Sequence, residues 1–207
     1  MKKVGILAGG SGSRMGGVEK GLLEINSTPV IKILVKELKD YEIVTVCRDK
    51  EQGRLYSAYS NVTFDHFKDM GPLAGIHAAL RYFKDSVLIV GVDMPFIKKD
   101  VASMLLEEFS KHRNADSLIP VWKDGKKEPL LACYSYRAIN GIESSLERGE
   151  RKIIKALNVN RTVFYPVENL RVVDNELISF INLNTLEDLK KVRKICSSID
   201  LEEKLQI

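Results

Sequence analysis

"VGILAGGSGSRMGGVEKGL", residues 4–22, joins an apolar run to a loop built largely of glycine. Val4 to Ala8 has the length and branched content of a buried strand. Behind it, six glycines fall within residues 7–21, together with Arg14 and Lys20. Glycine permits positive φ and leaves its amides open to a ligand, and successive amides in such a turn form a concave donor site for phosphate oxygens. A strand that ends in a phosphate cradle predicts an open α/β sheet, whose ligands collect beyond the carboxyl ends of the strands.

Working outward, short apolar runs recur at 43–47 (IVTVC), 62–64, 87–92 (VLIVGV), 117–122, 130–136, 162–167 and 179–183 (SFINL). Each reads as a strand. Stretches of helical period lie at 29–40, 72–83, 100–112 and 186–199. This alternation predicts an α/β fold: one domain, a three-layer sandwich around a mainly parallel, Rossmann-like sheet. The part from about 116 to 167 reads as an elaboration carrying a hairpin around "WKDGKKEP".

The chain has 207 residues, 44% hydrophobic and 29% charged, which suits one domain with a substantial core. Its net charge of +4 comes from 32 basic and 28 acidic residues that are interspersed, so a nucleic-acid-binding face is not expected and a small anionic substrate is. Cys47, Cys133 and Cys196 are odd in number and lack metal-ligand spacing, which predicts reduced thiols in a cytoplasmic protein. No run reaches the length of a membrane span or a secretory h-region, so no membrane partner is expected. His66, His77 and His112 read as ordinary surface or helix positions, and no Ser-His-Asp or Cys-His constellation stands out.

Two familiar phosphate-loop templates fail letter by letter. Gly10, Gly12 and Gly16 leave one residue too many for a dinucleotide fingerprint, and Val18 stands where a P-loop needs lysine after Gly17. What remains is a glycine loop with two cations suited to a polyphosphate. Asp93 falls where Pro95 ends the run from Val87. It reads as a Mg²⁺ ligand or as a turn or N-cap aspartate, and the glycine loop in the same chain favours the metal. Gly91 just before it weakens a strand unless something approaches closely. Asp65 follows another strand, as a nucleotide contact or an exposed turn. "MGPLAG" (70–75) opens a helix whose amides, Gly75 among them, either line a base pocket or simply start the helix. In "FINLNTLEDL" (180–189), Thr185 and Asp188 have capping-box spacing. Arg148, Arg151 and Lys152 are partners for an acceptor phosphate or a solvated helix end.

The pattern LAGG-x-G-x-R-M-G-G-x-E-K-G-L and its continuation to Ile31 resemble the signature of nucleotidyltransferases that activate sugars and cofactors, and most of all the molybdenum cofactor guanylyltransferase family. Asp93-x-Pro95-Phe96, "KEPLLACY" (127–134) and Phe180-x-Asn182-x-Asn184-Thr185 extend the resemblance, with Leu186 in place of a family proline and Glu19 where members commonly carry Asp. The resemblance implies a single nucleotidyltransferase domain over 1–207, its nucleotide half reaching about 115 and its acceptor half beginning about 116. It implies Mg²⁺-dependent transfer of GMP from GTP to the phosphate of a molybdopterin-type acceptor, and passing contact with other molybdenum-cofactor assembly proteins. The implied nucleotide site is Leu7, Ala8, Gly9, Gly10, Gly12, Lys20, Asp65, Gly75 and Asp93. Arg14, Lys20 and Asp93 would carry catalysis, Asp93 and Asn182 the metal, and Arg151, Lys152 and Asn184 the acceptor. Cys47 stands where the family has a nucleotide-binding asparagine; a thiol cannot replace an amide's donor and acceptor, so a buried structural role is expected. Alternatives are cytidylyl or other nucleotidyl transfer to a cofactor or sugar phosphate, and a non-catalytic nucleotide sensor.

Overall fold

A computed structural model of the chain describes residues 2–9, 19–185, 187, 188 and 190. The opening apolar run is β1 (Lys3–Leu7), and after it come a two-stranded ribbon, β2 (Glu24–Ile25) and β3 (Thr28–Pro29), and then α1 (Val30–Glu37). The chain continues through β4 (Glu42–Cys47), α2 (Lys50–Tyr56), β5 (Asn61–Phe64), α3 (Pro72–Phe83), β6 (Val87–Gly91) and α4 (Lys99–Lys111). The second half supplies β7 (Ser117–Val121), β8 (Leu131–Tyr134), α5 (Ile139–Glu147), α6 (Ile153–Ala156) and β9 (Thr162–Pro166).

Seven strands form one sheet in the order β5-β4-β1-β6-β8-β7-β9. β5, β4, β1 and β6 are mutually parallel, as are β7 and β9, while β8 runs antiparallel to both its neighbours. Side chains alternate across each strand, so β1 sends Val4 and Ile6 to one face and Leu7 to the other. On the first face they meet Leu34 of α1 and Leu105 of α4. On the second, Val44, Val46 and Ile89 meet Ile76 and Leu80 of α3 and Ile142 of α5. Helices thus cover both faces of a mainly parallel sheet, as the alternation of runs predicts.

α3 occupies the predicted span because Pro72 pre-sets its first turn and Gly71 enters it at φ +67°, a left-handed conformation that glycine adopts without strain. It lies close on the sheet at Gly5, where an added Cβ would stand 2.9 Å from the Cβ of Ala79.

The strand expected at 179–183 does not form. Ile178–Phe180 is a 3₁₀ turn, and the Leu183 N–H donates to the carbonyl of Asp93 (2.7 Å), because both edges of β6 are already taken by β1 and β8. Of the helix expected over 186–199, only residues 187, 188 and 190 are described, and they are helical. Cys47 and Cys133 are buried free thiols; Cys196 lies outside the described residues. His77, expected at an ordinary surface or helix position, is helical and fully buried. Among the described residues, no helix is long and apolar enough to cross a membrane.

Candidate active site

β1, β4, β5 and β6 present their carboxyl ends at one edge, where the chain leaving β1 and β6 helps line a cleft. Its lining includes Ala8, Gly9, Glu19, Lys20, Pro72 and Asp93. β6 stops at Gly91, and Asp93 sits two residues past its end, as Pro95 implied. A side chain at position 91 would place its Cβ 2.7 Å from Asp93 Oδ1, so glycine there leaves the carboxylate room to lie back along the strand end.

The Lys20 ammonium lies between two oxygens brought from far along the chain, donating to Asp93 Oδ2 (3.0 Å) and to Asn184 Oδ1 (2.9 Å). Asn184 is positioned by the capping box the sequence announces: Asp188 Oδ2 accepts from the N–H groups of Asn184 and Thr185, and Thr185 Oγ1 accepts from the Asp188 N–H. The side-chain amide of Asn182 instead donates to Phe180 O (3.0 Å). Asn184 is therefore the asparagine that meets Lys20 beside Asp93. Two oxygen donors gathered around a cation suit Mg²⁺, which takes few protein ligands and completes its shell with phosphate and water. Among the described residues no three His, Cys, Asp or Glu side chains cluster as a self-sufficient metal site.

Beside Gly9, Asp65 follows β5, with Oδ2 3.5 Å from where a Cβ on Gly9 would stand. Its Oδ1 is buried with no hydrogen-bond partner among the described residues, and burial pushes the carboxyl up to about 7. Next to it, Cys47 is fully buried, its thiol pushed up to about 12, first by burial and then by the carboxylates of Glu19, Asp49 and Asp65. Glu19 is held by the Arg48 guanidinium (2.7 Å), Gln52 Nε2 (2.7 Å) and the Tyr56 hydroxyl (3.4 Å). α2, which supplies Gln52 and Tyr56, is not announced by any of the helical periods in the sequence; the signal for it is Asp49, whose carboxylate accepts from the Gln52 N–H at the helix start (2.8 Å).

Of the other predicted residues, Leu7 ends β1 and Ala8 follows it, both in the cleft lining, and Gly75 lies buried in α3, an added Cβ there standing 3.2 Å from Leu7 Cδ1. Arg151 and Lys152 lie in the turn between α5 and α6, where the Glu150 carboxylate accepts from both of their N–H groups. Gly10, Gly12 and Arg14 lie outside the described residues.

Residues 4–162 match the MobA-like NTP transferase domain family. A probable molybdenum cofactor guanylyltransferase of Methanosarcina mazei is 34% identical over 90% of this chain and 88% of its own. A molybdenum cofactor guanylyltransferase of Vibrio parahaemolyticus is 37% identical over 89% of this chain and 91% of its own. Among solved structures, molybdopterin-guanine dinucleotide biosynthesis protein A from Archaeoglobus fulgidus superposes with a TM-score of 0.87 at 41% identity, over 95% of this chain and 99% of that one.

Proposed function

The chain belongs to the MobA-like NTP transferase family, and on that premise we propose that it transfers GMP from GTP to the phosphate of a molybdopterin-type acceptor, releasing pyrophosphate. The observation that carries the site assignment is the meeting of Lys20, Asp93 and Asn184 beside the start of the glycine segment.

This reaction needs no protein nucleophile. An acceptor phosphate oxygen attacks the α-phosphorus of GTP, forming one P–O bond as the bond to the bridging oxygen breaks and its electron pair leaves with pyrophosphate. Catalysis consists of holding two anions in line and offsetting the charge that builds between them. Lys20, with Arg14, offsets charge on the triphosphate, while the amides of Ala8, Gly9, Gly10 and Gly12 cradle it. Asp93 and Asn184 are the residues that would hold Mg²⁺, which when bound withdraws charge from the phosphates. Asp65, once ionised, offers its carboxylate beside Gly9 to the N–H donors of guanine, which presents both an imino and an amino donor where cytosine has only the amino group. Arg151 and Lys152 attract the acceptor phosphate.

Replacing Lys20 with alanine removes a charge aimed at the reacting phosphates, an interaction whose loss lowers turnover on the order of a hundredfold. Pyrophosphate release from GTP, Mg²⁺ and molybdopterin measures it; a fully active Lys20→Ala protein would sink the assignment.

A further inference from the structure

One buried group beside the cleft has no part in this chemistry. The side-chain amide of Gln52, 1% exposed, lies where β1 and β4 part. The two strands pair in parallel register as far as Leu7 and Val46, and the Ala8 N–H still donates to the Val46 carbonyl (3.0 Å). In a continuing parallel ladder the next bond would run from the Arg48 N–H to the Ala8 carbonyl. Here the Arg48 N–H donates to Gln52 Oε1 (2.7 Å), and Gln52 Nε2 donates to the Ala8 carbonyl (3.0 Å). A side-chain amide thus stands in for one rung, letting the strands separate while both backbone groups stay paired.

The same Nε2 also donates to Glu19 Oε2 (2.7 Å). Glu19 is the residue before Lys20, on the limb that returns from the glycine segment. One amide therefore ties the outgoing limb at Ala8, the returning limb at Glu19 and the end of β4 at Arg48. Both Ala8 and Glu19 line the cleft. An apolar residue of the same size would leave the Arg48 N–H and the Ala8 carbonyl without this partner, and Glu19 would keep only Arg48 and Tyr56 among these side-chain donors.

We propose that Gln52 is a positioning residue for Lys20: its amide props β1 and β4 apart at the mouth of the cleft and, through Glu19, sets where the Lys20 ammonium stands. The role rests on the nucleotidyl-transfer reading above. It predicts that Gln52 acts on the reaction only through Lys20, which a general structural role would not do.

The test is a double-mutant cycle on pyrophosphate release from GTP, Mg²⁺ and molybdopterin, with melting temperatures recorded for every protein. Gln52→Met, close in volume but unable to replace the amide's bonds, lowers kcat at least tenfold, with a smaller change in the KM for GTP. Added to Lys20→Ala, it slows the reaction no more than about twofold further. Unchanged kcat in the single variant, or full multiplication of the two losses in the double, overturns the proposal. If Gln52→Met does not yield folded protein, Glu19→Ala at the other end of the same hydrogen bond goes through the identical cycle with the same criteria. A folded wild-type protein that releases no pyrophosphate overturns the nucleotidyl-transfer reading and this role with it, whereas an active wild type with multiplicative losses overturns the role of Gln52 alone.

Discussion

Asp65, beside Gly9, is a carboxyl that burial disfavours as an ion. An aspartate in an unfolded chain ionises near 4, but burial raises this one to about 7. Between those values the folded chain holds a proton that the unfolded chain has released. The contribution to stability is therefore complete below about pH 4, declines as pH rises toward about 7, and is flat above. Buried His77 works in the opposite sense, since burial lowers its imidazole and favours the neutral ring, so its contribution is lost as pH falls below its ordinary value. A comparison of variants separates the two. Melting temperature measured from pH 4 to 8 should decline less steeply with pH in Asp65→Asn than in the wild type; identical slopes would show that the carboxyl is not held this way. At this scale the sequence was partly legible. A thiol at the end of β4 read as buried, and it is. That Asp65 is buried could not be read, because its surroundings come from segments far apart in the chain: Gly9 after β1 and Cys47 at the end of β4.

Among the elements, strand ends rather than strand middles set the site. Gly91→Ala places a Cβ against Asp93 Oδ1 and must turn that carboxylate away, while the apolar packing of β6 stays in place. Turnover should drop at least tenfold, since small misplacements at a reacting centre are costly, while the melting temperature shifts by no more than a few degrees. Gly5→Val tests the opposite case, in the sheet under α3. Its branched side chain meets Ala79 and Ile89, and overpacking of this kind destabilises by about 1–3 kcal/mol, readable by urea unfolding. Long apolar periods explain why α3 was legible to the residue, and a capping box explains why Thr185 and Asp188 were. α2 was not, because it has seven residues, Gly53 in its interior and only Asp49 as a start signal. Asn182 and Asn184 are two apart in an extended segment and look alike on paper; only the docking of Leu183 on the Asp93 carbonyl decides which amide reaches Lys20.

For the whole molecule, the base preference is an equilibrium measurement. A ligand that binds only the folded state stabilises it by about 2.7 kcal/mol at a hundred times its dissociation constant. GTP with Mg²⁺ should raise the melting temperature more than CTP, ATP or UTP at equal concentration; a larger rise with CTP would replace guanylyl with cytidylyl transfer. Alternation of strand and helix was enough to anticipate the layers and the mainly parallel sheet. Strand order was not, and the single reversed strand, β8, follows from a return connection that no local period encodes. That strand has a consequence for how the protein is made. β8 lies between β6 and β7, so the wholly apolar edge of β6 is closed only by a segment emerging some forty residues later. Until then, a nascent chain ending near residue 115 exposes VLIVG as an unpaired border, the kind of surface that templates aggregation. The first half alone should therefore be an insoluble fragment, and the interval before β8 leaves the ribosome is when the growing chain most needs a chaperone.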